Sequence, residues 1–266
     1  MKVTIYESKD AMSKATADLI AEQIRQKPDS LLCFPSGESP TIVLQYLVKY
    51  GLEGHVDFSQ CRFVGLDEWI GMDEKDEGSC KHYLYSHFFN PLNIRREKMV
   101  FFDGMAANLS AECKRIDQYI KENGPVDLML VGLGMNGHIG LNEPGADFHS
   151  YAHVAELDPV TIQVAQKYFA KTTKLTGGIT LGLQHFLEAK TAVLIVAGEK
   201  KADIVSKVLI EEISNQIPGT IIRSHENSYL FIDEEAAFRL SDHTKTEARF
   251  NPLVPWPILQ KPRNPF

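Results

Sequence analysis

The sequence predicts an α/β protein, a three-layer αβα sandwich with a mostly parallel, doubly wound and Rossmann-like central sheet. First, short apolar runs alternate along the chain with longer segments that have helical spacing. Second, these runs are apolar at successive positions, which is typical of strands covered by helices on both faces. Third, 266 residues with 44% hydrophobic side chains are enough for one large buried core.

The individual elements follow from turn residues and helical spacing. The first helix carries Leu19, Ile20 and Ile24 on one face and ends before Pro28, and the second helix opens with Pro40 in its first turn. The predicted strands are residues 3–6, 31–34, 61–66, 99–102, 126–131, 192–196 and 229–232. The predicted helices are residues 11–26, 40–50, 79–89, 107–122 and 200–212.

The composition changes only near the C-terminus. We therefore predict one domain over residues 1–240, followed by a proline-rich C-terminal arm over residues 241–266. Residues 249–266 contain five prolines, which are incompatible with a regular element. Trp256, Ile258 and Leu259 favour an arm that packs on its own domain or on a neighbouring subunit.

The charge balance limits the classes of partner. A net charge of -7, from 28 basic and 35 acidic residues, argues against a nucleic-acid-binding protein. An anionic small substrate stays compatible, because one local cluster of positive charge is enough to bind a phosphate. No apolar run approaches the roughly 20 residues that a membrane helix needs.

The four cysteines predict reduced thiols and a cytoplasmic protein. They are widely separated, without a CxxC pair or the cysteine and histidine spacing of a zinc site. We therefore expect no metal. The cysteines are Cys33, Cys61, Cys80 and Cys113.

Ligands of open parallel sheets bind beyond the carboxyl ends of the strands, so the segments that follow predicted strands are the candidate sites. The first of them reads PSGESP. Its small residues Ser36, Gly37 and Ser39 suit a phosphate turn in front of a helix, whereas the carboxylate of Glu38 would repel a phosphate unless it points away. An ordinary capped turn is the alternative.

The second segment, LDEW, places two carboxylates side by side at a predicted strand end. Asp67 and Glu68 project to different sides, so at most one of them points into a cleft. Apolar Leu66 and Trp69 would desolvate that carboxylate and raise its pKa towards a value useful for a general base. Two solvated loop carboxylates are the alternative.

The third segment follows the strong strand at 126–131 and contains an unusual glycine-rich loop. Residues 132–137 match the GxGxxG pattern of dinucleotide-binding turns, but that pattern should open a helix, and Pro144 and further glycines break one here. His138 and Glu143 instead suggest a base with an orienting carboxylate. In the fourth segment, GEKKA, Lys201 begins a helix at a strand end and could neutralise a phosphate.

In this order and at these intervals, PSGESP, LDEW, GLGMNGHIGLNEPG and GEKKA resemble the glucosamine-6-phosphate deaminase / galactosamine-6-phosphate isomerase family. The resemblance covers about residues 1–235. Asn136, LDEW and the pair Ser79 and Cys80 look closer to the galactosamine-6-phosphate branch, since the glucosamine enzymes typically have Asp where Asn136 stands.

The resemblance implies conversion of a hexosamine 6-phosphate to the ketose 6-phosphate with release of ammonia, without cofactor or metal. His138, held by Glu143, would assist ring opening, and Asp67 would carry a proton between C2 and C1. Asn136 is not ionisable and could still orient His138 by hydrogen bonding. The small-molecule substrate is the only partner implied besides a possible homo-oligomer.

The resemblance also implies a phosphate site, in which Lys167 takes the place of the family's arginine and loses its bidentate geometry. The residues of this site would be Ser36, Gly37, Glu38, Ser39, Lys167 and Lys201.

Three other functions stay open. Glucosamine-6-phosphate deaminase differs from the favoured function only in the sugar. A 6-phosphogluconolactonase shares the Gly-x-Gly-x-x-Gly-His loop, but Glu143 would have no obvious role in lactone hydrolysis. A non-enzymatic sugar-phosphate sensor would normally carry a DNA-binding helix-turn-helix before the first strand, which starts close to Met1, and Asp67 and His138 would be superfluous in it.

Overall fold

A computed structural model describes residues 1–250; residues 251–266, most of the predicted C-terminal arm, lie outside the described residues. The strands are β1 Lys2–Tyr6, β2 Leu31–Phe34, β3 Arg62–Gly65, β4 Asp67–Trp69, β5 Met99–Val100, β6 Leu128–Gly132, β7 His153–Ala155, β8 Gly178–Thr180, β9 Ala192–Val196 and β10 Ser228–Asp233. The α-helices are α1 Lys9–Gln26, α2 Thr41–Leu52, α3 Cys80–Leu84, α4 Leu109–Asn123, α5 Pro159–Ala165, α6 Leu183–Glu188, α7 Ala202–Ile210 and α8 Asp242–Phe250.

The main sheet contains seven strands in the order β1-β10-β9-β6-β2-β3-β5, and every pair of neighbours is parallel. All seven predicted strands belong to it. After β1, which forms the far edge of the sheet beside β10, the chain builds the sheet outwards from β2 through β3 to β5. It then returns to the other side of β2 and continues through β6, β9 and β10. The direction of strand addition therefore reverses between β2 and β6, which makes their carboxyl ends the topological switch point.

Helices cover both faces of this sheet and divide the core in two. In β6, Leu128 and Leu130 face the layer formed by α1, α2 and α3. Met129 and Val131 face the opposite layer, to which α4, α6 and α7 contribute. Successive side chains of a strand point to opposite faces, so an apolar strand of this kind needs both layers. The predicted three-layer αβα sandwich is confirmed.

A second, smaller sheet was not predicted. The antiparallel strands β4, β8 and β7 pair in the order β4-β8-β7, with Asp67 opposite Thr180. Each of these strands has three residues, which is too short for a periodic pattern to be recognised in the sequence. The LDEW segment is accordingly not the end of β3. The chain leaves the main sheet after Gly65, and Asp67 opens a strand of the second sheet.

Capping residues explain why several helices differ in length from the prediction. The side chain of Asn108 accepts a hydrogen bond from the backbone N–H of Ala111 at 2.9 Å, so α4 begins after it. Ser79 caps α3 in the same way, accepting from the N–H of His82 at 3.1 Å. The predicted helix over residues 79–89 is α3 followed by a π-helical turn at Tyr85–Phe89.

The predicted C-terminal arm begins with a regular element, since α8 covers Asp242–Phe250 and its Ala248 is buried in the core. Among the described helices, none combines the length and the apolar character that crossing a membrane requires.

The edge of the sheet opposite the switch point is held by a buried carboxylate. Asp127 is 1% exposed and accepts hydrogen bonds from Lys27 at 2.5 Å, from Lys190 at 2.8 Å and from the backbone N–H of Leu31 at 2.9 Å. Burial by itself would raise the pKa of Asp127, but these partners outweigh it and lower the pKa. The carboxylate thereby connects β2 and the start of β6 to two surface lysines.

We expect Asp127→Asn to lower the free energy of unfolding by about 2 kcal/mol at pH 7, because it weakens three hydrogen bonds to a buried group. A group with a lowered folded pKa stabilises above its unfolded pKa and loses this contribution as pH falls through the folded value. The deficit of the variant should therefore disappear in acid. Urea unfolding of both proteins across pH measures it.

The control for this prediction is Asp18→Asn, which removes a carboxylate from a surface ion pair with Lys14. That change should cost less than about 0.5 kcal/mol. Equal losses in Asp18→Asn and Asp127→Asn would contradict the structural role of Asp127.

Candidate active site

The two loops that leave β2 and β6 lie against each other at the switch point. A Cβ atom placed on Gly132, the last residue of β6, would approach Oγ of Ser39 to 3.2 Å. Parallel pairing of β2 with β6 makes this contact, because it brings both carboxyl ends to one edge of the sheet. The PSGESP turn and the glycine-rich loop, 97 residues apart in the sequence when counted from Pro35 to Gly132, are therefore neighbours.

The PSGESP turn needs glycine at position 37. Gly37 has φ +95°, and a Cβ there would meet the hydroxyl of Tyr168 at 2.9 Å. The carbonyl of Gly37 accepts a hydrogen bond from Thr41 in the first turn of α2 at 3.1 Å. The turn thus leads its small residues directly into the N-terminus of α2, whose positive dipole end favours an anion.

Lys201 lies at the same edge of the sheet. It ends a 3-10 turn, Glu199–Lys201, that precedes α7, and its ammonium donates a hydrogen bond to the carbonyl of Leu133. Burial and the charge of Lys167 lower the pKa of Lys201 to about 8. Asp233 at the end of β10 holds this turn by accepting the N–H of Gly198 at 3.0 Å.

Lys167 reaches the PSGESP turn from the other side of the cleft. Its ammonium lies 2.7 Å from the carboxylate of Glu38, and the ammonium of Lys9 is 3.9 Å from the same carboxylate. The structure therefore brings Lys167 together with the predicted phosphate turn. Glu38 does not point away from the cations, as a phosphate turn would require, but pairs with them.

The cleft beside this turn has a volume of about 210 Å³. It is largely aromatic and polar. Its walls are formed by Ser36, Gly37, Trp69, Gly78, His82, Tyr83, His87 and Tyr168.

Asp67 and Glu68 are separated by the alternation of β4, as the sequence indicated. The side chain of Glu68 is buried on the side of α3, while Asp67 keeps part of its surface accessible. Burial against protein atoms raises the pKa of Asp67 to about 6, with a smaller contribution from the charge of Glu68. Charge on His138 acts in the opposite direction and lowers the pKa of Asp67, so the two groups share one electrostatic environment.

Glu68 holds the helix that forms one wall of the cleft. Its carboxylate accepts hydrogen bonds from the hydroxyl of Ser79 at 2.7 Å and from the backbone N–H groups of Cys80 and Lys81, both at 3.0 Å. The two N–H groups would otherwise be unpaired at the start of α3. Glu68 therefore has a structural role, and the LDEW segment supplies one carboxylate to the fold and leaves the other, Asp67, partly accessible.

Cys80 is a site residue whose contact the sequence did not reveal. Its thiol hydrogen-bonds to the side chains of Asp67 and Ser36, and it thereby joins the LDEW segment to the PSGESP turn. The hydrogen bond from Cys80 lowers the pKa of Asp67 and offsets part of the effect of burial. Cys80 takes this position because α3 packs on β4, and no local sequence pattern predicts the contact.

The glycine-rich loop brings together Asn136, His138 and Glu143. Nδ1 of His138 lies 3.3 Å from the carboxylate of Glu143, which also accepts a hydrogen bond from the amide of Asn136 at 2.8 Å. The side-chain oxygen of Asn136 accepts from the backbone N–H of His138 at 3.2 Å. Asn136 therefore orients Glu143 and the main chain of His138, and it does not contact the imidazole.

The loop closes on itself because Gly134 has no side chain. A Cβ on Gly134 would meet the imidazole of His138 at 2.4 Å, and the N–H of Gly134 donates to the carbonyl of His138 at 2.9 Å. No helix follows this loop before residue 145, in agreement with the argument against a dinucleotide-binding turn.

Thr161 completes this group and was missed in the sequence. Its hydroxyl lies 3.1 Å from Nδ1 of His138 and also hydrogen-bonds to Glu143. Asp158 and Pro159 form a recognisable helix start for α5, with Asp158 capping the N–H of Val160 at 2.7 Å. That signal predicts a short helix, but not the side chain that Thr161 presents to the loop.

Glu143 is held as a carboxylate. Burial would raise its pKa, but the hydrogen bond and charge of His138, with hydrogen bonds from Thr161 and Asn136, outweigh burial and lower the pKa. One carboxylate oxygen, Oε1, is buried without a hydrogen-bond partner among the described residues. A carboxylate in this position orients an imidazole and stabilises its protonated form.

The switch point of this α/β fold thus carries a carboxylate with a raised pKa, an imidazole held by a second carboxylate, and lysines beside a glycine turn. These features define an enzyme that moves protons on an anionic small molecule. A protein-family profile described as "Glucosamine-6-phosphate isomerases/6-phosphogluconolactonase" matches residues 6–231, and the chain belongs to this family.

Similar proteins cover nearly the whole chain. A glucosamine-6-phosphate deaminase of Thermoanaerobacter sp. (strain X514) is 32% identical over 248 residues, which are 93% of this chain and 98% of that protein. A protein of the same name from Clostridium botulinum (strain Loch Maree / Type A3) is 33% identical over 242 residues, 91% of this chain and 99% of that protein.

Solved structures agree with this assignment. A monomeric glucosamine-6-phosphate deaminase superposes with a TM-score of 0.87 at 32% identity and covers 90% of this chain and 99% of its own. A 6-phosphogluconolactonase from Leishmania guyanensis reaches a TM-score of 0.72 at 19% identity, with 90% of this chain and 98% of its own covered. The second likeness shows a shared fold.

We expect Glu68→Gln to lower the free energy of unfolding by about 2 kcal/mol, because the amide NH2 group would face N–H donors that the carboxylate accepts. Urea unfolding monitored by fluorescence measures the change. Glu74→Gln is the matched control, since Glu74 pairs with exposed Arg96 nearby. A loss no larger than that of Glu74→Gln would show that Glu68 does not hold α3.

Proposed function

We propose that the protein converts a hexosamine 6-phosphate to the ketose 6-phosphate and ammonia, with Asp67, Asn136, His138 and Glu143 as its catalytic set. The observation that carries the proposal is the pairing of two different acid–base groups at one switch point. Asp67 has a pKa of about 6, and the imidazole of His138 is held by Glu143 at 3.3 Å. Family membership and the deaminase names of the relatives support the same reaction.

Ring opening is the first step in this mechanism. The imidazole of His138 takes the proton of the C1 hydroxyl and delivers it to the ring oxygen, which breaks the bond between C1 and that oxygen. Glu143 holds Nδ1 and balances the transient positive charge on the ring, while Thr161 fixes the geometry of both.

Isomerisation follows at Asp67. The ionised carboxylate removes the proton from C2 of the open-chain aldehyde while a proton passes from the C2 ammonium to O1, giving an enolamine, and Asp67 then returns its proton to C1. This leaves an imine at C2. Water adds to C2, ammonia departs, and the ketose 6-phosphate remains. A pKa near 6 suits both halves of this transfer, because the group accepts and donates a proton near neutral pH.

The phosphate is proposed to bind the turn of Ser36, Gly37, Glu38 and Ser39 together with two lysines. Lys201 is half-buried and held at the carbonyl of Leu133, and Lys167 faces the turn from across the cleft. Lysine binds a phosphate as a point charge, so position rather than bidentate geometry determines the contact. The two lysines belong to different elements of the fold. Contacts with both would therefore fix the position of the phosphate relative to the glycine-rich loop.

We propose galactosamine 6-phosphate as the preferred sugar, from the resemblance of Asn136, LDEW and the pair Ser79 and Cys80 to that branch. The neutral amide of Asn136 contributes orientation without charge, through its contacts with Glu143 and the N–H of His138. Glucosamine 6-phosphate is the second candidate, because the relatives at 32–33% identity carry the name of the glucosamine enzyme.

We expect purified protein to release ammonia from galactosamine 6-phosphate and, in a parallel assay, more slowly from glucosamine 6-phosphate. Asp67→Asn should lower kcat by about 10²–10⁴-fold, because the amide cannot carry the proton between C2 and C1. A coupled ammonia assay measures both. Turnover of glucosamine 6-phosphate alone would overturn the sugar preference and keep the mechanism. No ammonia release from either sugar would overturn the proposed reaction.

The acid limb of the pH dependence of kcat/KM should reflect the titration of Asp67. We expect kcat/KM to rise as pH increases towards about 6, where Asp67 loses its proton, and then to level off. Cys80→Ala should shift this limb to higher pH, because the thiol hydrogen bond that lowers the pKa of Asp67 is lost. Cys113→Ala, which removes a buried thiol from α4, is the control. Coincident acid limbs for Cys80→Ala and wild type would contradict the contact.

A further inference from the structure

Glu38 stands where a phosphate-binding turn has most need of a small or neutral residue. Its carboxylate is nevertheless within 2.7 Å of the ammonium of Lys167 and within 3.9 Å of that of Lys9. The hydrogen bond and charge of Lys167 lower the pKa of Glu38, with smaller contributions from the charges of Lys9 and Lys201. One carboxylate is therefore within ion-pair distance of two cations beside the turn.

The carboxylate of Glu38 lies beside Lys167 as a bound anion would. Lys167 comes from the segment after α5, 129 residues from Glu38 in sequence, so the pair bridges the two walls of the cleft. The carboxylate uses the same ammonium that a phosphate at this turn would contact. The two anions cannot both occupy the best position on Lys167, because like charges at hydrogen-bond distance from one ammonium repel each other.

The ion pair between Glu38 and Lys167 is also weak enough for a phosphate to replace Glu38. The side chain of Glu38 is 65% exposed and that of Lys167 is 45% exposed, so solvent screens their attraction. Glu38 has room to rotate into solvent when a dianionic phosphate takes Lys167. Lys201 is much less exposed and is held by a backbone carbonyl, so it keeps its place during the exchange.

We propose that Glu38 is an internal counter-ion that competes with the substrate phosphate for Lys167 and so sets the phosphate affinity of the site. This inference rests on the proposed phosphate site and deepens it. In the absence of phosphate, Glu38 neutralises Lys167 and keeps it over the turn. Phosphate binding then exchanges one anion for another, at the cost of the existing ion pair.

The test is the affinity for inorganic phosphate, measured by isothermal titration calorimetry on the full chain at low ionic strength. Glu38→Gln keeps the size of the side chain and removes its charge. We expect it to bind phosphate about fivefold more tightly than wild type, which corresponds to about 1 kcal/mol. The KM for the amino-sugar phosphate should fall by a similar factor.

Two further variants make the result specific. Glu22→Gln removes a carboxylate from the far end of α1 and changes the net charge equally, so it should bind phosphate as wild type does. In a Lys167→Met background, Glu38→Gln should lose most of its effect, because the competition requires the shared ammonium. The full fivefold gain in that background would overturn the proposal in favour of general repulsion between the anions.

The remaining outcomes separate this inference from the proposed reaction. Unchanged or weaker phosphate binding by Glu38→Gln, with normal turnover, would overturn the inference alone. Wild-type protein that turns over the sugar but binds no phosphate would overturn the phosphate site and this inference with it. Tighter binding by Glu38→Gln in a protein that releases no ammonia would support the counter-ion and overturn the deaminase reaction.

Discussion

The parallel pairing of β2 with β6 is the constraint on which the remaining site depends. Leu32 lies opposite Leu128 and Cys33 opposite Met129, so the two strands end at the same edge of the sheet. Because the order of strand addition reverses here, no crossover helix covers the gap between their carboxyl ends. The PSGESP turn and the glycine-rich loop therefore lie side by side, with Gly132 next to Ser39.

The second sheet turns this open edge into a cleft with a desolvated carboxylate. The chain leaves the main sheet after β3, and β4 pairs with β8 so that Asp67 and Glu68 face opposite sides. The carboxylate of Glu68 accepts hydrogen bonds at the start of α3, and α3 in turn brings Cys80 to Asp67. The raised pKa of Asp67 is thus a consequence of packing around a short strand, with burial as its largest cause.

Charge in the site is balanced locally rather than by the whole molecule, whose net charge is -7. The half-buried ammonium of Lys201 donates to a backbone carbonyl, and the imidazole of His138 is held by Glu143. Asn136 shows that the same geometry can be held by a neutral amide, since it bridges Glu143 and the main chain of the loop. Preorganised groups of this kind reduce the cost of charge that develops during proton transfer.

The sequence by itself determined the seven-stranded parallel sheet, its helical layers and the candidate site segments that follow its strands, because apolar runs, caps and glycine turns are local signals. The same signals placed His138 with Glu143 in one loop. Tertiary structure decided that Glu68 is buried against α3, that Cys80 contacts Asp67, that Thr161 contacts His138, and that Glu38 pairs with Lys167. These contacts join residues far apart in the chain through short elements, and such elements leave no periodic trace in a sequence.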